Sequence, residues 1–435
     1  MMEIKMNKFP GLFLNTVKSF FIFLAAVTFS CLIVGESRAN NLQLDNFEVY
    51  SMNTSANTIT YTADMDWDNS WKTITNQDAV WVFLKYSSDG GATWSHATLG
   101  GSGLNPSGFN APDGFDIVVP QDQRGFFIQR NSLGSGTATA NGARFIWNYG
   151  QDGLSDAVAT ASNTINKIFG IEMVYVAQGS FYAGDGSSSS DYRLKEGTAD
   201  NDPWYVQNEN AITTTNSAGD GFYYQGAGAS GENSSGDVFI VPTSFPKGHQ
   251  AFYQMKYELT EGQWAGFFNT LSPTQKINRD TTSSVNGGKG SDNVVNRNTI
   301  SWDDASPKSD ASTLRSNRPM TYISWPDLMA YADWAGLRPM TELEFEKSSR
   351  GADISPIADE FVWGKATYND VQSNEIFPNT DEGGTETISN GSANLNRNNL
   401  AWTSGDGRVG GIAESQKGPL RSGILAGTGT SRVTS

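Results

Sequence analysis

The sequence predicts an α+β protein in two parts, a small all-β module followed by a larger, loop-rich domain with a few short capped helices. Three observations predict this. Six β-branched and aromatic runs lie between residues 40 and 155, separated by turn-rich segments. Helix-start signals are confined to a few short stretches after residue 255. Gly, Ser, Asn and Thr are abundant while only 17% of residues are charged, a composition that suits an irregular extracytoplasmic protein better than a helical cytosolic one.

Residues 1–39 read as a signal peptide. Lys5 and Lys8 precede an apolar run from Phe20 to Val34, and Ser37-Arg38-Ala39 offers small residues for cleavage. A single membrane anchor competes with this reading, but the run is short for a span. Thr28 and Phe29 fit a lipobox poorly, which argues against lipidation at Cys31. Cys31 is the single cysteine of the 435 residues, so the chain after cleavage holds no disulfide, thiolate metal site or cysteine nucleophile. Net charge is −16. Such a surface repels nucleic acid and anionic membranes. The expected location is secreted, periplasmic or at the cell surface, with no stable membrane span once the signal is removed.

Residues 40–155 are expected to form a β-sandwich-like module from runs beginning at Phe47, Thr58, Val80, Asp116, Gly125 and Ala143. Ser87-Ser88-Asp89-Gly90-Gly91-Ala92-Thr93-Trp94 matches the S-x-D-x-G-x-T-W pattern called an Asp-box, read here as a hairpin in which Asp89 and Thr93 satisfy turn amides. One copy does not make a propeller. His96, on the returning strand, reads as a surface or packing residue. Residues 156–170 are expected to be a linker, and 171–435 the second domain.

Within that domain Thr260 and Gln263 form a T-x-x-Q cap for a helix that turns Trp264, Phe267 and Phe268 to the core. Polar insertions precede and follow it. Arg318 to Gly351 then reads as a helical hairpin. Ser324 caps the first helix with Asp327 at the capping-box position, and Pro326 sits in the first turn. Trp325, Leu328, Met329 and Ala332 repeat at helical spacing, so Trp325 and Trp334 are expected to anchor the hairpin in the core. Gly336 stops the helix and Pro339 prevents its resumption. Thr341 and Glu344 open the second helix, whose Glu342, Glu344 and Glu346 are expected to face solvent and favour the helix dipole rather than to act as acids or bases.

The order of these residues resembles the formylglycine-generating-enzyme family, the sulfatase-modifying factors. S-W-x-D-x-x-x-Y-x-x-W-A-G-x-R followed by T-E-x-E-F-E and R-G matches its central block. Met173-Val174-Tyr175-Val176 with Gly179-Ser180-Phe181 and Gly184 resembles its opening block. Tyr257-Glu258-Leu259-Thr260 with Gln263-Trp264 and Phe267, and Val362-Trp363-Gly364, resemble two more. The resemblance covers roughly residues 171 to 400. It implies a variant of the C-type-lectin-like fold, poor in regular secondary structure. It also implies a structural calcium: Ser392-Ala393-Asn394-Leu395 resembles the family's A-N-x block, where Asn394 by its side chain and Leu395 by its carbonyl would be ligands.

Family oxidases use a C-terminal cysteine pair that binds copper and activates oxygen to convert a substrate cysteine to formylglycine. That pair and its framing G-N-x-W-E-W and R-G-G-S/A-W blocks are absent from these 435 residues. The sequence is either a fragment cut inside the domain or a complete, degenerate protein, and the loop-like ending at Ser435 favours a fragment. Copper is expected only if a cysteine pair lies downstream. With His96 and His249 as the two histidines, iron chemistry of the sulfoxide-synthase type and a Ser/His/Asp triad are both unsupported. No catalytic residue is assigned. The expected partner is a protein, peptide or glycan ligand, and the expected role is binding, substrate presentation or surface contact. The alternatives are an oxidase completed beyond Ser435 and a carbohydrate-binding surface protein.

Overall fold

A computed structural model describes residues 42–186, 193–196, 202–215, 221–225, 238–302, 309–361, 364–367, 369, 376–377, 387–388 and 418–423. Each of the six β-rich runs lies in a strand: β1 Gln43–Asn53, β2 Thr58–Lys72, β3 Gln77–Ser87, β6 Phe115–Val119, β7 Phe126–Arg130 and β8 Gly134–Trp147, with the short β4 Ser95–His96 and β5 Gly103–Leu104 between them. A single helical turn, α1 Asp156–Ala159, precedes β9 Ile165–Val176. Short hairpin strands follow: β10 Phe181–Ala183, β11 Arg193–Glu196, β12 Trp204–Val206, β13 Ile212–Thr213, β14 Phe222–Gln225 and β15 Ile240–Val241. Then come β16 Phe252–Met255 and four helices, α2 Glu261–Phe268, α3 Pro273–Asn278, α4 Trp325–Trp334 and α5 Glu342–Arg350.

Strand β3 organises the molecule. Its run Val80-Trp81-Val82-Phe83-Leu84 is continuously apolar, the pattern of a strand buried on both faces. Because side chains alternate across a strand, Val80, Val82, Leu84 and Tyr86 enter one core with Tyr61, Met65 and Trp67 of β2, Phe126 of β7 and Phe145 and Trp147 of β8. Ala79, Trp81 and Phe83 enter a second core with Phe169, Ile171 and Met173 of β9, Trp264, Phe267 and Phe268 of α2, and Tyr331 of α4. The layer β1–β2–β8 therefore covers one face of the sheet that contains β3, and the helices cover the other.

The segment expected as a linker contains the start of β9. This strand pairs antiparallel with β3 from Ile165 opposite Ser87 to Tyr175 opposite Gln77, and with β16 from Met173 to Val176. The N-terminal module and the second domain thus share one ten-stranded sheet. The Asp-box forms the turn between β3 and β4. Asp89 Oδ1 accepts from the Thr93 amide at 2.9 Å, Asp89 Oδ2 from the Thr93 hydroxyl at 2.6 Å, and Ser87 Oγ from the Gly91 amide at 2.8 Å.

One expectation needs correction. Trp325 is 62% exposed and Met329 is also exposed, whereas Tyr331, Ala332 and Ala335 are buried with Leu328 packed against the same core. The core-facing stripe of α4 is Leu328, Tyr331, Ala332, Ala335, rotated from the one that starts at Trp325. A first-turn residue projects back past the helix start, and here no core lies behind it. Trp334 does anchor, with ring centroids 4.7 Å from Phe169, 5.1 Å from Phe83 and 5.5 Å from Phe267.

These contacts predict opposite outcomes for two aromatic truncations. Phe83→Ala is expected to lower unfolding free energy by about 3–5 kcal/mol, while Trp325→Ala stays within about 0.5 kcal/mol of the unmutated chain. Urea denaturation of the two variants measures both.

Candidate functional site

The helical hairpin α4–α5 and the seam where it meets β3 hold most of the polar side chains that sequence reasoning singled out. Both helices start as their capping boxes dictate. Ser324 accepts from the Asp327 amide while its own amide donates to Asp327 Oδ2 at 2.9 Å. Thr341 accepts from the Glu344 amide at 3.1 Å while its amide donates to Glu344 Oε2 at 2.9 Å. Gly336, at φ +70, closes α4, and the Leu337 amide donates to the Ala332 carbonyl at 2.8 Å.

The three glutamates of α5 do not share one environment. Glu344 is buried at 2% exposure, contrary to the solvent-facing position expected of it. The Arg338 guanidinium forks onto it, with Nη1 2.8 Å from Oε2 and Nη2 2.6 Å from Oε1. Burial works against its charge, but the Arg338 fork and the Thr341 amide outweigh it and hold the carboxyl below the usual glutamate range. Glu346 Oε2 accepts from the Gly184 amide at 3.0 Å. Arg350 Nε donates to Glu360 Oε1 at 2.8 Å, and its Nη atoms donate to the carbonyls of Tyr182 and Gly184 at 2.7 Å each. A Cβ at Gly184 (φ +99) would meet the Leu194 carbonyl oxygen at 2.4 Å, so only glycine lets the loop approach this arginine. Glu342 remains exposed.

At the other end of α4, the Trp81 indole donates to the Ala335 carbonyl at 2.8 Å, giving a C-terminal carbonyl a partner from the N-terminal module. His96 stacks on Phe83 with ring centroids 5.5 Å apart, bears out the packing role, and binds the Arg124 carbonyl through Nε2. That bond makes Nε2 the donor, so Nδ1 is the acceptor for Lys85 Nζ at 3.0 Å. Burial first, then the Lys85 charge, pull the His96 pKa down to about 4. Burial likewise lowers Lys85 to about 7, with Asp333 opposing and Arg124 adding to the shift. Lys85 is 5% exposed, with the Trp334 ring 5.4 Å from Nζ, so its amine is walled off from any large substrate, while His96 is partly buried. Its position suits a cation at a helix C-terminus.

Sequence reasoning missed the buried charges Lys85, Asp78, Glu172 and Lys256. A signal existed for two of them, since Lys85 directly follows the apolar run Val80 to Leu84 and Glu172 interrupts the apolar run from Ile168 to Val176. His249 lies in the loop before β16, where its carbonyl accepts from Lys347 Nζ at 3.2 Å. The structure does not bring His96 and His249 into one constellation with carboxylates: among the described residues no group of three His, Cys, Asp or Glu could hold a metal ion. Asn394, Leu395, Val362 and Trp363 lie outside the described residues, as do residues 1–41. Cys31 is the single cysteine of the sequence, so these residues cannot supply the cysteine pair that would hold copper and do not fit that metal. No described helix is long and apolar enough to cross a membrane.

Comparison with known families decides the affiliation of this fold. The model of the sulfatase-modifying factor enzyme 1-like domain matches residues 169–406, more than half of the chain. The chain belongs to the sulfatase-modifying factor family. Its similar relatives include the formylglycine-generating enzymes of Mus musculus (46% identical over 56 residues, 13% of this chain and 14% of the relative) and Thermomonospora curvata (51% over 39 residues, 9% and 13%). The enzyme of the same description from Streptomyces coelicolor is 51% identical over 52 residues, 12% of this chain and 16% of the relative. The matched segments span about one seventh of each relative. No solved structure matches the chain. The family match begins within β9, so the domain's first strand is the one paired with β3 along its length.

The Lys85 geometry yields a prediction with a definite sign. Its folded pKa of about 7 lies below the ordinary 10.5. Between these values the unfolded chain binds a proton that the folded chain does not, so stability rises with pH by about 1.4 kcal/mol per unit. Lys85→Met is expected to remove that rise and, as an apolar replacement of a buried charge, to be neutral or stabilising at pH 7. Urea denaturation of both chains at pH 7, 8 and 9 checks it.

Proposed function

We propose that this polypeptide is a secreted, periplasmic or cell-surface binding protein whose sulfatase-modifying-factor domain, in a C-type-lectin-like arrangement, contacts a protein, peptide or glycan and performs no oxidation itself. The observation that carries this reading is the single cysteine, Cys31, within the expected signal peptide. Formylglycine formation needs a thiol to capture the substrate and thiolates to hold a soft metal. The side chains of the central hairpin add support: Glu344 is committed to Arg338 and a helix cap, and Glu346 and Glu360 to Arg350. A general base must be free to take a proton and poised near working pH, and Glu344 is held the other way.

A second reading has its own support in the three similar relatives, each named formylglycine-generating enzyme. Under it this chain is one part of an oxidase whose cysteine pair lies beyond Ser435. One experiment separates the two. The purified chain is incubated with copper, reductant, oxygen and a sulfatase-type cysteine peptide, with circular dichroism as a folding control. Mass spectrometry is expected to find no aldehyde above a metal-only blank. Aldehyde formation overturns the binding reading, and a downstream cysteine pair in the reading frame favours the oxidase.

The calcium proposal rests on Asn394 and Leu395, whose amide and carbonyl oxygens suit a hard cation but supply two of the roughly six to eight ligands it takes. Calorimetric calcium titration of the full chain is expected to show binding that Asn394→Ala weakens at least tenfold; equal binding in both chains removes the proposal.

A further inference from the structure

The strand shared by the two parts of the molecule carries a buried carboxylate, Glu172, that packing does not require. It is 2% exposed. Its Oε2 lies 3.2 Å from Lys256 Nζ, just after β16, and its carbonyl accepts from the Lys256 amide at 2.9 Å. The same ammonium donates to the Asn69 carbonyl of β2 and to Asp78 Oδ2 of β3, each at 2.9 Å. Lys256 thereby uses its three protons on three strands, one on β9 and two on β2 and β3.

The two carboxylates are not equally provided for. Asp78 is fully buried and accepts four hydrogen bonds: the Trp67 indole at 3.0 Å, the Ser70 hydroxyl at 3.0 Å, the Trp71 amide at 2.9 Å and Lys256. Glu172 accepts one, from the ammonium that Asp78 already shares. Two buried negative charges against one positive charge are costly in a low-dielectric interior, and the proton goes to the carboxylate with fewer donors. We propose that Glu172, Lys256 and Asp78 form a proton-dependent lock between the family domain and the N-terminal sheet, engaged while Glu172 is protonated and loosened as it ionises.

The groups facing Glu172 agree with this assignment. They are Lys256 and Tyr257 after β16, Asp78 on β3 and Asp68 on β2. Burial is the largest influence and pushes Glu172 up to about 8, with Lys256 opposing and both aspartates adding to the rise. Burial opposes the Lys256 charge too, but the neighbouring carboxylates, Glu172 when ionised and Asp78, outweigh it and keep the ammonium charged. Burial raises Tyr257 to about 12, so it stays neutral across the relevant range.

The sign follows from proton counting. Between the ordinary carboxyl value of 4.5 and about 8, the folded chain holds a proton on Glu172 that the unfolded chain has lost. This contribution is complete below pH 4.5 and is lost as pH rises through 8, roughly tenfold in the folding constant per pH unit.

The test compares the full chain with Glu172→Gln, which keeps the shape and stays neutral at every pH. Urea denaturation at pH 5, 6, 7 and 8 is expected to show the folding constant of the variant rising relative to the unmutated chain by about tenfold per unit. Hydrogen exchange of the Lys256 amide, corrected for intrinsic rate and referred to the β2–β8 ladder, is expected to accelerate above pH 8 in the unmutated chain and not in the variant. A constant ratio of folding constants across the range overturns the proposal. So does equal exchange in the two chains above pH 8. If the variant does not fold, carboxyl-carbon NMR of Glu172 in the unmutated chain decides: a protonated shift at pH 7 supports the lock, and a carboxylate shift at pH 7 overturns it.

Discussion

The pairing of β3 with β9 is the constraint on which the rest of the structure depends. It runs over eleven residue pairs and places a strand from each part of the chain side by side in one sheet. On its other edge β3 pairs with β7 from Val80 to Val82 and with β4 at Lys85 and Tyr86, and its apolar run is divided between two cores. The helices of the family domain pack on Ala79, Trp81 and Phe83, which the N-terminal module supplies. Part of the family domain's hydrophobic floor therefore belongs to a segment outside the matched residues 169–406.

A second consequence concerns how an irregular domain without disulfides holds its loops. Lys347 Nζ donates to the Gly248 carbonyl at 2.6 Å and to that of His249 at 3.2 Å. Lys247 reaches the carbonyls of Phe245, Glu209 and Pro242, and Lys289 reaches those of Asn293, Asn298 and Ile300. Each ammonium satisfies loop carbonyls that form no ladder, which buried backbone requires. Burial lowers the pKa of all three lysines, of Lys347 to about 8. Between the lowered and the ordinary value the unfolded chain holds protons that the folded chain does not, so the contribution of these lysines to stability rises with pH.

What could be read from the sequence was local. The six β-rich runs, the Asp-box turn, the T-x-x-Q cap and both caps of the hairpin follow from neighbouring residues, and their strands, turns and caps form as the spacing indicates. The ordered motifs led to the correct family because they record which residues recur, whatever the fold that holds them. Trp325 and Glu344 were misplaced because each requires knowing what lies on the far side of the helix. Trp325 has no core behind it, and Glu344 meets Arg338, which returns over it from the turn. The inclusion of residues 165–170 in β9 was hidden for a similar reason, since a partner for those residues exists only once β3 is in place. The site expectation on Asn394 and Leu395 rested on resemblance alone and falls outside the described residues.

The distribution of charge completes the functional argument. The hairpin that carries the family's central block commits its polar side chains to caps, ion pairs and neighbouring loops: Asp327 and Glu344 cap helices, Arg338 pairs with Glu344, and Arg350 with Glu346 and Glu360. A side chain that takes part in proton transfer is usually left with an unspent lone pair or proton facing a cleft and with a pKa moved toward neutrality. Here three strongly displaced groups lie at the junction of β3 with α4 and β9, Lys85 and Glu172 buried and His96 partly buried against Phe83. Perturbed pKa values also arise in structural charge networks, and a location at the joint between two parts of one sheet is where such a network governs assembly. What α4 and α5 leave to solvent includes three large apolar side chains, Trp325 at 62%, Met329 at 41% and Phe345 at 50% exposure, beside the carboxylates Asp333 and Glu342.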